Sequence, residues 1–179
     1  SRSRPVHLVF SLDFLTASAP MRCVFFSAHD LFSYSHAVYD AVLPADGGMN
    51  NLLINAKLGI STERWFARKI PVNNRLVGSY HYLLTYLIVF SGKLFARGFP
   101  KPGFLDLRDI SRIVRWVLDK RREGRDCCIR TVASNASRIA YVAGEMGVSL
   151  EGTKFIVSGE PFTESKREVI ERVGASATS

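Results

Sequence analysis

The feature that most constrains the fold is an alternation of apolar and amphipathic segments in the last third of this 179-residue sequence. Residues 127–132 and 154–157 are apolar runs of strand length. Each is followed by residues with helical spacing, one segment beginning at Ser134 or Ser137 and the other covering residues 164–173. Strands that alternate with helices form parallel sheets with right-handed crossovers. The sequence therefore predicts an α/β fold with a mostly parallel sheet and flanking helices.

The clearest helix is predicted after Asp109, which is placed to cap it. Apolar residues recur at intervals of three and four and form one stripe, which comprises Ile110, Ile113, Val114, Val117 and Leu118. In the following helix, the residues predicted to point inward are Ala136, Ile139, Ala140, Ala143 and Met146.

The first half of the sequence has a less regular pattern. Strands are predicted over residues 5–12 and 21–27, and a short helix over residues 13–19 is expected to end before Pro20. Further helices are predicted over residues 47–57, 63–69 and 79–96. Two loops are predicted between these elements, one carrying His29, Tyr34, His36 and Tyr39 and one covering residues 98–103. We interpret residues 1–179 as a single α/β region, with residues 98–103 as the one candidate subdomain boundary.

Composition excludes several classes of protein. A hydrophobic fraction of 47% with 22% charged residues argues against disorder. The most apolar run, residues 80–90, is much shorter than the roughly 20 residues of a membrane-spanning helix. No secretory signal is recognised, and Cys23, Cys127 and Cys128 have neither metal-site nor disulfide spacing. We therefore expect a cytoplasmic protein without a transmembrane segment or a bound metal cluster.

The net charge of +8 is unevenly distributed along the sequence. Residues 63–125 hold 14 Lys and Arg against five Asp and Glu. We interpret most of these cations as the solvated faces of helices, and we expect no nucleic-acid partner because no nucleic-acid-binding module accompanies them. An alternative interpretation is a non-catalytic binding module that uses this basic segment to hold an anionic partner, either nucleic acid or a membrane surface.

The candidate functional segment is Ser158-Gly159-Glu160-Pro161, between a predicted strand and a predicted helix. It should lie at the carboxyl edge of the sheet, where open α/β sheets bind ligands. A glycine there lets the backbone approach a flat ring closely. Two simpler interpretations remain open: the segment is an ordinary turn, or Glu160 accepts backbone N–H bonds at the start of the following helix.

Two further segments belong with this one, Ile129-Arg130-Thr131-Val132-Ala133-Ser134 and Thr163-Glu164-Ser165-Lys166-Arg167. Together, the three segments resemble the adenylate-forming superfamily, and in particular its phenylacetate–CoA ligase-like branch. In that family a Gly-Gly-Glu-Pro turn lines the AMP-binding site, and here Ser158 replaces the first glycine. The resemblance implies that Ser158, Gly159, Glu160 and Pro161 bind the nucleotide. It covers residues 126–175 best.

The resemblance also implies an activity. The chain would be an internal fragment of an ATP-dependent ligase, part of the large N-terminal AMP-binding domain. The enzyme would use ATP and Mg²⁺ to activate a small carboxylic acid as an acyl-adenylate, for transfer to CoA or another acceptor. Because the family's Tyr-Gly-x-x-Glu motif and catalytic lysine would lie beyond Ser179, we expect this chain alone to be inactive, and its catalytic residues are unknown.

Two further residues are candidates for the acyl pocket. His36 lies where the family places residues beside its acyl group, and Ser134 opens the helix that follows the predicted strand at residues 127–132. The alternative for His36 is a loop histidine with satisfied hydrogen bonds. Ser134 is expected to be a helix N-cap that also faces the acyl side of the cleft.

Overall fold

The computed structural model describes residues 12–41, 47–68 and 99–179, together with residues 83, 86, 87 and 89–92. Within these residues, six strands form one sheet, and they are β1 (Ser35–Ala41), β2 (Thr62–Arg68), β3 (Pro102–Leu105), β4 (Cys127–Thr131), β5 (Thr153–Val157) and β6 (Ser176–Thr178). The α-helices are α1 (Leu12–Ala28), α2 (Gly47–Lys57), α3 (Ser111–Arg122), α4 (Ala133–Glu145) and α5 (Glu164–Glu171). Two short 3-10 helices cover Leu31–Ser33 and Leu107–Asp109.

The sheet is parallel throughout, with the strand order β3-β2-β1-β4-β5-β6. The predicted α/β class with a parallel sheet and flanking helices is therefore confirmed. In this order the chain first adds strands on one side of β1 and then continues on the other side from β4. The adjacent carboxyl ends of β1 and β4 thus form a topological switch point, which is where open α/β sheets bind ligands.

Helices cover both faces of the sheet. On one face, α3, α4 and α5 contribute Ile113, Ala136 and Ile170 to a core that also contains Ile129 and Phe155 of the sheet. On the opposite face, two smaller clusters join the sheet to α1 and α2. All five residues of β4 are buried, as expected for a strand that is covered on both sides.

The last third of the chain closely follows the sequence-based expectation. Both predicted strands, both helices that follow them and the buried stripe of α3 are present. Three details differ. The α3 helix begins at Ser111 without a side-chain cap, and Met146 is exposed after the end of α4. In addition, Ser176–Thr178 forms β6, which the sequence pattern did not indicate.

The prediction of a helix ending before Pro20 and a strand over residues 21–27 is wrong. A single helix, α1, runs through both segments with Pro20 inside it. The apolar run was interpreted as a strand buried on both faces, but Met21 is 81% exposed and Val24 is 70% exposed, whereas Phe26 is buried. Of the strand predicted over residues 5–12, all but Leu12, which begins α1, lies outside the described residues.

The two central strands were also misassigned. The predicted loop with His36 and Tyr39 contains β1, and the helix predicted over residues 63–69 is β2. Three consecutive residues of β2 are buried, Trp65, Phe66 and Ala67, and only a segment covered on both sides buries such a run. The charged residues of β2, Glu63, Arg64 and Arg68, lie near its ends.

Other elements are partly described. The predicted helix over residues 47–57 is confirmed as α2. Most of the helix predicted over residues 79–96 lies outside the described residues, although those at 83, 86, 87 and 89–92 are helical. Within the predicted loop at residues 98–103, β3 begins at Pro102 and pairs with β2. Among the helices that are described, none is long and apolar enough to cross a membrane.

Candidate functional site

The Ser158-Gly159-Glu160-Pro161 segment, here called the 158–161 turn, directly follows β5 at the carboxyl edge of the sheet. The backbone N–H of Ser158 donates to the carbonyl oxygen of Thr131 in β4 at 3.2 Å. Gly159 has a φ of 78°, in the left-handed region that side chains disfavour. A Cβ added there would meet only Val132 at 3.6 Å, so the backbone conformation, rather than lack of space, requires glycine.

Glu160 ties this turn to the beginning of α4. One carboxylate oxygen accepts a hydrogen bond from the backbone N–H of Ser134 at 2.9 Å, and the other accepts one from Ser134 Oγ at 2.9 Å. The first N–H groups of a helix have no partner within the helix and carry partial positive charge, so they favour a carboxylate. The carboxyl ends of β4 and β5 are therefore joined by a direct contact between two residues that the sequence singled out.

A cation completes the environment of Glu160. The ammonium group of Lys166 lies 3.6 Å from a Glu160 oxygen and donates to the carbonyl oxygen of Pro161 at 3.0 Å. The two hydrogen bonds from Ser134 lower the pKa of Glu160, Lys166 adds to the effect, and partial burial opposes it. Glu160 is thus held as a carboxylate that shapes the turn.

These contacts correct two alternatives raised by the sequence. Glu160 accepts hydrogen bonds at the start of the preceding helix, α4, and not at the following helix, α5. Ser134 is not an N-cap, since the N-cap position is Val132 and has no side-chain cap bond. The Ser134 hydroxyl instead donates to Glu160.

The ends of β1 and β4 are joined by a second polar network. Thr131 Oγ1 donates to the carbonyl oxygen of Tyr39 at 2.6 Å, and Asn135 Nδ2 donates to Thr131 Oγ1 at 3.2 Å. All three residues are buried. This network fixes the two strand ends that flank the switch point.

Two arginines lie near the same edge of the sheet. Burial raises the pKa of Tyr39, and the charges of Arg138 and Arg68 partly offset this increase. Arg68 is the last residue of β2 and Arg138 is in the second turn of α4. Both cations are therefore within electrostatic range of the Tyr39 hydroxyl group, close to the switch point.

Arg130 of β4 is a third cation in this region, and it is only 3% exposed. Its register neighbours are Val38 in β1 and Ile156 in β5, so its side chain leaves the sheet on the side covered by α1 and α2. None of its three guanidinium nitrogens has a hydrogen-bond partner among the described residues. A buried charge without such partners is costly, which makes Arg130 unusual in a strand core.

His36 lies elsewhere. It is the second residue of β1, toward the amino edge of the sheet, whereas Ser134 and the 158–161 turn lie at the carboxyl edge. The ring is buried, stacks on Phe26 with 5.6 Å between ring centroids, and donates from Nε2 to the carbonyl oxygen of Leu31 at 2.7 Å. Burial lowers its pKa. The structure therefore brings Ser134 and Glu160 together but does not bring His36 to them.

Nucleophilic and metal-binding side chains do not form a site in the described part of the chain. Burial raises the pKa of both Cys127 and Cys128 to about 12, so these thiols stay protonated at neutral pH and are poor nucleophiles. Among the same residues, no cluster of three or more His, Cys, Asp or Glu could hold a metal ion.

Sequence reasoning missed Arg130, Arg68 and Arg138 as members of this edge. One signal was available for Arg130, because it is the only charged residue in the apolar strand Cys127-Cys128-Ile129-Arg130-Thr131. Arg68 and Arg138 give no such signal, since their proximity depends on the order of strands in the sheet.

Comparison with known proteins does not identify a relative. No protein-family model matches the sequence, and searches of curated proteins and of solved structures found no significant match.

Proposed function

We propose that this chain belongs to an ATP-dependent ligase that activates a carboxylic acid as an acyl-adenylate, with the 158–161 turn against the nucleotide. The observation that carries the proposal is the contact between Glu160 and Ser134, which joins the turn to the start of α4 beside the switch point. The resemblance of these same segments to adenylate-forming enzymes supports it.

In this proposal the residues of the turn have different roles. Glu160 is a positioning residue, because both of its oxygens are engaged by Ser134. Ser158 and Gly159 are exposed, and Gly159 has no side chain to keep a ligand away from the backbone. The backbone at Ser158 and Gly159 is then the surface offered to a flat adenine ring.

The three arginines supply the charge that the chemistry needs. Activation of a carboxylate by ATP brings together two anionic reactants, and their mutual repulsion opposes the reaction. Arg68 and Arg138 raise the electrostatic potential around the end of β1. Arg130 adds positive charge from the opposite face of the sheet. They therefore favour entry of a carboxylate and phosphates and stabilise negative charge that develops during transfer.

The resemblance implies Mg²⁺, but the described residues form no ready-made site for it. They include no cluster of three or more His, Cys, Asp or Glu residues that could hold a metal ion. The carboxylate in the 158–161 turn, Glu160, already accepts a hydrogen bond from Ser134 and pairs with Lys166.

Hydrogen–deuterium exchange of this chain with and without ATP tests the proposal. Saturating ATP is expected to slow amide exchange in peptides that cover residues 156–162, because the nucleotide would cover the free backbone of the turn. Inorganic tripolyphosphate should leave these peptides unchanged, since recognition of the ring is what protects them.

A matched pair of variants makes the test specific. Gly159→Ala and Gly147→Ala each place a side chain at a positive φ, 78° and 65° respectively, and Gly147 lies after α4 with nothing within 4 Å of an added Cβ. Protection by ATP should be lost in Gly159→Ala and kept in Gly147→Ala. Exchange in residues 156–162 that does not respond to ATP in the unmodified chain would refute the proposal.

A further inference from the structure

A cleft of about 590 Å³ lies between α3 and two neighbouring strands, β2 and β3. Its charged lining comprises Arg64, Lys101, Arg112, Arg115 and Asp119, and Trp116 is one of its aromatic residues. Lys101 directly precedes β3 and Arg64 is near the start of β2, so the cleft is toward the amino ends of these strands. It is therefore separate from the 158–161 turn, which lies at the carboxyl end of β5.

Helical spacing concentrates the lining on one strip of α3. Arg112, Arg115, Trp116 and Asp119 are separated by three, one and three residues and so share one helix face. Trp116 is 7% exposed, and its indole N–H has no hydrogen-bond partner among the described residues. Its ring packs edge-to-face on Phe66, with 6.1 Å between centroids, which fixes the wall of the cleft.

The cations that line the cleft have no carboxylate partner among the described residues. In the part of the chain that the structure describes, no ion pair involves Arg64, Lys101 or Arg112. Arg115 makes only a 3.5 Å contact with Ser111 Oγ. The single carboxylate in the lining, Asp119, pairs with Arg122, which is not among the residues that line the cleft.

The cations at and after the end of α3, by contrast, are paired with carboxylates. Each of the four cations that follow Asp119 has a carboxylate partner, and they are Lys120, Arg121, Arg122 and Arg125. Glu63 accepts from both Lys120, at 2.9 Å, and Arg125, at 2.7 Å. Among the described residues, the basic segment thus contains both a paired network and four cations that line one cleft, and these four repel one another unless an anion lies between them.

We propose that this cleft binds a small molecule that carries two or more phosphate groups. Its volume is in the range of small-molecule sites, and convergent arginines are suited to phosphate oxygens. A nucleic acid or a membrane surface would be expected to meet an extended basic surface, whereas these four cations face one concave site that a compact polyanion fills. The proposal is independent of nucleotide binding at the 158–161 turn.

Isothermal titration of this chain with inorganic tripolyphosphate at low salt tests the proposal. Saturable binding to one site is expected, and the affinity should fall as salt is added. Arg112→Gln and Arg115→Gln should each weaken binding about tenfold, the effect of losing one charge-assisted hydrogen bond. Asp119→Asn should strengthen binding, because it removes the one carboxylate from the lining.

Arg172→Gln is the matched control, since Arg172 is exposed at the end of α5 and does not line the cleft. It should change the affinity less than twofold. All four substituted side chains are exposed, so the variants should fold, and thermal melting checks this. Absence of saturable binding, equal weakening by Arg172→Gln, or much tighter binding of a single-stranded oligonucleotide than of tripolyphosphate would overturn the proposal.

Discussion

Glu160 and Arg130 lie near the ends of two neighbouring strands, and their charges are accommodated in opposite ways. The Glu160 carboxylate is partly exposed, yet both of its oxygens accept hydrogen bonds and a lysine lies beside it. The Arg130 guanidinium group is buried, yet it has no hydrogen-bond partner among the described residues.

The difference separates a structural charge from one that lowers stability. Glu160 stabilises the turn in which it lies, because its ionised form is satisfied at the start of α4. We expect Arg130 to lower the stability of the sheet, because this buried cation loses its hydration and has no compensating hydrogen bond among the described residues. A residue with that cost is a candidate for function, and this reasoning supports its place in the proposed site.

The largest expected effect is a gain in stability when Arg130 is replaced. Arg130→Met substitutes an unbranched apolar side chain and should raise the free energy of unfolding by roughly 1–4 kcal/mol, the range found when buried ion pairs are replaced by apolar residues. Urea denaturation measures the change. The exposed Arg112→Met is the control and should stay within about 0.5 kcal/mol. Destabilisation by Arg130→Met would mean that the guanidinium group is satisfied after all.

A smaller loss is expected at Gly159. Gly159→Ala should lower the free energy of unfolding by roughly 1–2 kcal/mol, because a side chain is disfavoured at a φ of 78°. Gly144→Ala offers the opposite case. Gly144 is inside α4 and an added Cβ would meet only Val173 at 3.8 Å, so this change should stabilise the chain by about 0.5–1 kcal/mol. Equal effects of the two substitutions in denaturation experiments would contradict the assigned turn geometry.

The smallest effect concerns the charge of Glu160. Its pKa is lower in the folded chain than the ordinary value of 4.5, so its ionisation stabilises the fold above that value. This contribution is lost as the pH falls through the lowered pKa. Glu160→Gln should therefore lower stability at pH 7 by up to about 1 kcal/mol and flatten the decrease in acid. Denaturation of both proteins at several pH values measures this difference. If the free energy of unfolding falls equally in both between pH 7 and pH 3, this role is excluded.

Sequence patterns predicted the last third of the fold because several signals agree there. The buried stripe of α3, the apolar strands β4 and β5, and glycines at the helix ends all indicate the same elements. The first half lacks that agreement. The polar residues His36 and Tyr39 hid the central strand β1, and the apolar run in α1 imitated a buried strand although Val24 is exposed.

The candidate site was only partly predictable for a related reason. The 158–161 turn is local in sequence, so its backbone requirement for Gly159 can be inferred from neighbouring residues. The contact of Glu160 with Ser134 crosses 26 positions and depends on β4 and β5 being adjacent. The approach of Arg68 to Tyr39 likewise requires the pairing of β1 with β2.

The strand order also has a consequence for how the chain folds. β1 pairs with β4, and the hydrogen bond from Thr131 to Tyr39 closes a separation of 92 positions. During synthesis, β1 and β2 therefore emerge long before β4, the strand that pairs with the other edge of β1. Contacts this distant in sequence slow folding because the entropy of closing the loop is lost before the contact forms. Joining β1 to β4 is thus expected to limit the folding rate, and until then the open edge of β1 is where association with other chains would begin.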